Sequence, residues 1–264
     1  MKKLSVLLAV CLFLLSTTVK TWALGIEVAG GWFHQAPDGD ISYEGGDTLS
    51  LKDVLNFDSQ NKYMLRADID LPLINFKVIY TPVKFEGSNT WTKNFTFGGK
   101  TFTAGNSFNS YLEMNQLDLT VYWGIPLLKT VTKVATLGLS GIDIQFGINV
   151  KQIKFDAKIY NSTVSAEAKP TLYIPMLYGG LNIDIWNFSL IGEVRGISYQ
   201  SNHYYDILGL VKLRIFSLPL PFSSSGIFID GGYRYQDIKL DTHDIKGSLK
   251  ISGPVAEIGA EVKF

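Results

Sequence analysis

Little in this chain of 264 residues is in excess, and what it lacks narrows its class. Its 24 basic and 24 acidic side chains cancel to a formal charge of zero, which excludes a nucleic-acid binder that works through a basic surface. At 46% hydrophobic and 18% charged, it is too apolar for a disordered tail. No stretch in the body of the chain reaches the roughly 18 uninterrupted apolar residues of a spanning helix, so a helical membrane protein is excluded as well. The one cysteine is Cys11.

The first residues read as an export signal. Met1, Lys2 and Lys3 form a short basic stretch, Leu4 to Leu15 an apolar core too short to span a bilayer, and Thr21, Trp22 and Ala23 a site for cleavage after Ala23. Cys11 lies inside the apolar core rather than at its end, which argues against lipid attachment. Removing residues 1–23 takes away Lys2, Lys3 and Lys20 and leaves 21 basic against 24 acidic residues, a mature charge of about −3. The mature chain then has no cysteine. Disulfide staples, a thiol nucleophile and a thiolate metal site are excluded together.

What remains is a series of segments that alternate with a period of two. From Pro254 to Phe264 the even positions are Pro254, Ala256, Ile258, Ala260, Val262 and Phe264, while Glu257, Glu261 and Lys263 lie on the other face. Lys62 to Leu71, Ile142 to Val150 and Tyr205 to Ile215 repeat the pattern, and Gly25 to Phe33, Asn75 to Phe85, Tyr111 to Trp123, Thr171 to Ile185, Phe188 to Tyr199 and Gly226 to Leu240 are compatible with it. In a soluble core the second face would bury unpaired charge. Alternation between lipid and lumen accounts for both faces. The expectation is an all-β fold, a transmembrane up-and-down antiparallel barrel of about ten strands (eight if segments are over-split), following the signal at 1–23 and occupying 24–264.

An even count places both termini in the periplasm. The long polar segments His34 to Asn61, Glu86 to Ser110 and Lys154 to Pro170 then lie outside the cell, and the tight links Pro72 to Ile74 and Trp186 to Asn187 inside. Gly124 to Gly141 is long for a periplasmic turn, and the links near Ser201 to His203 and Asp241 to Lys246 are short for surface loops. Trp123 and Trp186 fall at the expected periplasmic interface and Trp32 near the outer one.

The segment Leu71-Pro72-Leu73-Ile74 followed by Tyr80-Thr81-Pro82, the run from Tyr173 to Gly180, and Gly232-Tyr233-Arg234-Tyr235-Gln236 resemble a family of bacterial outer-membrane β-barrel proteins of unassigned function. The likeness runs from the second strand to Phe264. It implies a fold and an outer-membrane location, and no chemistry.

His34, Asp38, Asp40, Glu44 and Asp47 in the first loop and Asp237, Asp241, His243 and Asp244 in the last could together hold a calcium ion or form a hydrolytic rim site. Their spacing fits no calcium loop, and no metal or cofactor is expected. A lipid-cleaving barrel needs a serine beside a histidine. His203 has Ser198 and Ser201 nearby, but Ser198 lies across a strand end and Ser201 two residues away in a turn, and a capped turn is the preferred reading. In the second loop Trp91, Phe95, Phe97, Phe102 and Phe108 surround Gly98-Gly99, a hairpin signal. That hairpin should extend the neighbouring strands above the membrane and either recognise a sugar or apolar molecule or pack against other loops. Ser50 and Asp53 resemble a helix cap before Val54, Leu55 and Phe57. Asn94-Phe95-Thr96 and Asn161-Ser162-Thr163 match glycosylation acceptors, by accident in a bacterial protein.

The inward faces bear most on mechanism. Alternation turns Glu27, Arg66, Asp68, Asp70, Lys77, Asp118, Asp184, Glu193, Arg195, Asp206, Lys212, Arg214, Asp230, Arg234, Glu257, Glu261 and Lys263 into the barrel. A barrel of about ten strands is only slightly wider than the eight-stranded kind whose side chains nearly fill it. A salt-bridged, largely filled lumen is expected, with at most a narrow channel. Phe264 is the expected C-terminal signal to the barrel-assembly machinery, and outer-membrane lipids the remaining partner of a monomer. Three roles follow from this reading: a structural or slowly conducting barrel, a surface-loop binding protein, and an envelope hydrolase with a rim site.

Overall fold

A computed structural model describes residues 24–125, 140–220, 223–241 and 245–264. The expected signal segment 1–23, most of the long link after Gly124, and His243 with Asp244 lie outside the described residues. The strands are β1 (Gly25–Tyr43), β2 (Leu49–Ser50), β3 (Gln60–Asp70), β4 (Asn75–Thr90), β5 (Phe95–Phe97), β6 (Lys100–Phe102) and β7 (Ser107–Gly124). They continue as β8 (Ser140–Tyr160), β9 (Ser165–Ala168), β10 (Thr171–Ile185), β11 (Phe188–Tyr199), β12 (Asn202–Leu220), β13 (Ser223–Asp241) and β14 (Ile245–Lys263).

Ten of these form the wall, each antiparallel to its neighbours, in the order β1-β3-β4-β7-β8-β10-β11-β12-β13-β14. The ring closes where β1 pairs with β14, from Gly25↔Lys263 to Tyr43↔Ile245. Closure satisfies backbone groups between strands and removes the open edge, the condition for a sheet in hydrocarbon. Each expected segment falls on a wall strand, with only Leu71 and Phe264 one residue beyond its end, and the count is ten rather than eight.

The wall strands run well past the expected ends. β1 continues to Tyr43, so His34, Asp38 and Asp40 are strand residues rather than loop residues. The reason is a change of phase within single strands. In β8, Ile144, Phe146, Ile148 and Val150 point outward and are exposed. Beyond Val150, Ile153 and Ile159 are buried inside while Lys154 is exposed outside. Below that point the outer solvent is lipid; above it the outer solvent is water. The same inversion occurs in β7, where Asp118 is buried opposite exposed Leu119, but Leu112 is buried beside outward Glu113.

Exposed apolar side chains occur on all ten wall strands, from Ile26 and Val28 of β1 to Ile258 of β14. Aromatic residues edge this belt. Trp123, Trp186 and Phe188 are exposed at the periplasmic side, and Trp32, Tyr63, Tyr173, Tyr205 and Tyr233 toward the outer side.

The outer half encloses an apolar core that includes Phe33, Phe85, Phe97, Leu112, Ile153 and Ile159. The segments between β1 and β3 and between β4 and β7 fold over it. Gly98 and Gly99 adopt positive φ angles of 57° and 65° and turn β5 into β6 as expected. The hairpin is a separate two-stranded sheet, not an extension of the wall. Its Phe95, Phe97 and Phe102 are buried with Phe108, Phe95 stacking on Phe102 at 4.9 Å between ring centroids. At the expected helix, Ser50 Oγ accepts from Asp53 N at 3.1 Å, and Leu55 N donates to Ser50 O at 3.0 Å. A single turn results rather than a helix, and it presses Leu51, Val54 and Leu55 into the core.

Candidate functional site

The middle of the barrel is a layer of buried charge. Six cations are buried (Arg66, Lys77, Lys151, Arg195, Lys212 and Arg234), with seven anions (Asp68, Asp118, Glu193, Asp206, Asp230, Glu257 and Glu261). Near-equality of sign means the groups neutralise one another rather than create a field along the axis.

Two hubs organise the layer. Around Arg66 on β3 stand four carboxylates: Glu27 at 2.9 Å, Asp68 at 3.4 Å, Asp230 at 2.8 Å and Glu257 at 3.1 Å. Asp206 on β12 is the second hub. Arg234 donates to both of its oxygens, at 2.9 and 2.6 Å, and Lys151 lies 3.2 Å away. Lys151 also meets Asp118 at 2.7 Å. Lys77 pairs with Asp68 at 3.3 Å and with Glu193, which in turn pairs with Arg195. Such fork-shaped and multiple pairing is what makes charge tolerable away from water.

Some of these contacts cross the lumen. Gln116 on β7 and Gln236 on β13 come from opposite walls and exchange hydrogen bonds, Nε2 to Oε1, at 3.3 and 2.8 Å. Tyr204 on β12 donates to Gln116 Oε1 at 3.4 Å. Arg234 Nη1 reaches Thr81 of β4 at 2.7 Å.

Toward the periplasm the layer opens into a cavity of about 640 Å³, lined by residues that include Glu27, Asp70, Lys77, Asp184, Lys212 and Arg214. Lys212 meets Glu27 at 2.6 Å, and Arg214 meets Glu261 at 2.8 Å and Asp184 at 3.6 Å. Asp70 sits at the periplasmic end, where Tyr122 donates to it at 3.3 Å, outside the ion-paired layer. Lys263 reaches Glu261 at 2.9 Å. Phe264 follows β14, exposed, its amide donating to Leu24 O at 2.8 Å.

Closure, a complete apolar belt and a polar interior together define the solvent of each surface. The protein is a membrane-spanning β-barrel. No family model and no curated protein matches the chain. Its structural neighbours are bacterial outer-membrane barrels. They include the outer membrane protease OmpT of Escherichia coli, with 12% identity, 92% of this chain and 97% of that one covered, and a TM-score of 0.47. OprG of Pseudomonas aeruginosa has 10% identity over 92% and 97%, with a TM-score of 0.32, and Ail of Yersinia pestis 10% over 91% and 99%, with a TM-score of 0.32.

The barrel's charge layer contains residues that alternation in the sequence had missed. Lys151 lies one residue past the expected end of its strand, yet it continues the inward series Asp143, Gln145, Gly147, Asn149. Extending that parity by two positions would have found it. Gln116 and Gln236 give no comparable signal, because an uncharged inward residue resembles any other.

At the rim, His34, Asp40 and Asp47 each have their own partners, while His243 and Asp244 of the expected cluster lie outside the described residues. His34 Nδ1 is 2.8 Å from Asn61 Oδ1, Asp47 accepts from the amide and hydroxyl of Thr96, and Asp40 accepts from the Ser248 amide at 3.3 Å. Among the described residues no group of three His, Cys, Asp or Glu side chains could hold a metal ion. Asn161 accepts from the Thr163 and Val164 amides at 2.9 and 2.7 Å, so it shapes a turn. On the outer wall above the belt, hydrogen bonds from Tyr111 and Asn115 hold the Glu113 carboxyl below its usual range, and burial with Glu113 beside it pushes the Tyr111 hydroxyl up.

Proposed function

We propose that this barrel is plugged: a monomer that contributes to the integrity of the outer membrane and passes small solutes slowly at most. The observation that carries the reading is the Gln116–Gln236 pair between opposite walls, set among the ion pairs of Asp206 and Arg66. Opening a porin-sized path there would separate buried charges that have no other partners at hand, at a cost of several kcal/mol for each broken pair. A second obstruction supports it, since the apolar core and its folded loops occupy the outer half.

On this reading residues 1–23 are an export signal cleaved after Ala23. The C-terminal strand ending at Phe264 is read by the barrel-assembly machinery, and lipid is the barrel's permanent partner.

Purified protein in planar bilayers is expected to give no steps of porin size. Stable large conductance from protein whose folding is verified by a heat-dependent gel shift would overturn the plug.

A further inference from the structure

The strand register brings together a serine, a histidine and an aspartate on the outer wall, away from the charge layer. Ser198 on β11 is the direct cross-strand partner of His203 on β12. His203 Nε2 lies 3.4 Å from Asp237 Oδ1 on β13. The His203 ring stacks on Tyr205, with centroids 5.1 Å apart, and the Tyr235 hydroxyl donates to the other Asp237 oxygen at 3.1 Å. Lys239 is the cross-strand partner of His203 on its other side. Cross-strand partners share a face, with Cβ atoms about 4.5–5.5 Å apart. Rotation about the serine χ1 therefore carries Ser198 Oγ toward Nδ1, the nitrogen that Asp237 leaves unengaged.

The height of this row matters as much as its order. Tyr205 beside it, and Tyr233 four residues below Asp237, are exposed on the same wall, and exposed tyrosines mark the level of lipid headgroups. Acyl esters of the outer leaflet lie at that level. Gln200 and Ser201 form the two-residue turn between the closing pair Tyr199↔Asn202, and Gln200 has a φ of 54°. Their amides lie outside the ladder and can meet a developing oxyanion.

We propose that Ser198, His203 and Asp237 form an interfacial site that hydrolyses the carboxylic ester of a lipid acyl chain. Ser198 Oγ attacks the ester carbonyl carbon as its proton passes to His203 Nδ1. The carbon–oxygen bond to the alcohol then breaks, and the alcohol leaves with that proton. Water adds to the acyl-serine by the same route, which frees the fatty acid and restores Ser198. Asp237 is a positioning residue that fixes the imidazole orientation. The row faces outward, so the proposal stands or falls independently of the plugged lumen.

The test uses full-length folded protein in mixed micelles of detergent and phosphatidylethanolamine, with folding of every variant verified by its heat-dependent gel shift. Wild type is expected to release fatty acid and to carry a long-chain alkyl fluorophosphonate adduct on Ser198, found by peptide mapping. Ser198→Ala should lose both, Ser224→Ala at the periplasmic end of β13 should keep both, and His203→Ala should slow labelling about 100-fold. Asp237→Asn should slow release, and Asp237→Glu should restore part of it, a rescue that a purely structural role would not give. Wild type without an adduct at Ser198, or without fatty acid release, or a labelling rate unchanged in His203→Ala, would overturn the proposal.

Discussion

At the residue scale, the side chains that matter most are charged and buried, and their value lies in having all their partners at once. Arg234 illustrates this, since it spans both oxygens of Asp206 and the hydroxyl of Thr81. Replacing it by methionine leaves Asp206 with fewer cations in a dry site. Arg234→Met is expected to destabilise the barrel by about 3–5 kcal/mol, read as an earlier midpoint in urea unfolding followed by tryptophan fluorescence. Lys84 pairs with Glu86 at 2.9 Å on the exposed wall, and Lys84→Ala should leave that midpoint nearly unchanged. Glu113 adds a pH dependence of known sign. Its folded carboxyl sits below the ordinary value of 4.5, so its contribution is present above that pH and is lost as pH falls through the folded value. The site is largely exposed, so the effect is small. Glu113→Gln should flatten the acid limb of the stability profile, and an unchanged limb would refute the assignment.

At the element scale, the strands are longer than their sequence signal because the signal reverses along them. Ile144 to Val150 in β8 announces a lipid-facing strand through its outward apolar residues. Beyond Val150 the outward residues become polar and the inward ones apolar, so a reader who follows one hydrophobic face concludes that the strand has ended. Lys151 was lost there for that reason alone. Hairpins were easier, because Gly98-Gly99 dictates its turn through backbone geometry that few other residues adopt. Placing a branched side chain at the 57° position of Gly98 should cost about 1–2 kcal/mol locally. Gly98→Val is expected to raise protease cleavage within residues 92–105 while leaving the heat-dependent gel shift of the barrel in place. What the hairpin covers could not be read from its own residues. An aromatic cluster at a loop serves recognition when it is exposed and packing when it is buried, and Phe97 and Phe102 are each 1% exposed.

At the scale of the whole molecule, two different barriers lie in series along one axis: paired charge at mid-depth and apolar packing above it. Removing the outer barrier separates their contributions. Deletion of residues 92–105 should leave bilayer conductance low, because the crossings at Gln116 and Lys77 remain. A porin-sized conductance in that deletion variant would assign the barrier to the hairpin instead. The cavity below the charge layer opens toward the periplasm and is lined by charged residues, so the interior is asymmetric, polar on one side and apolar on the other.

The sequence by itself determined the solvent of each face. A period of two with apolar residues on one side and charges on the other needs lipid outside and a polar lumen inside, and that physical requirement is local to each strand. Alternation also turned Arg66, Asp68, Lys77, Asp206 and Arg234 inward before any contact was known. Which charges meet was decided only by closure of the ring, because ion pairing across a lumen depends on strands far apart in the chain arriving at the same height. Arg66 and Asp230 are 164 residues apart in sequence, and nothing in either segment specifies the other. Register likewise set Ser198 opposite His203 and brought Asp237 beside it from the next strand. Distances of that kind are fixed by the shear and closure of the whole sheet, which no single strand carries.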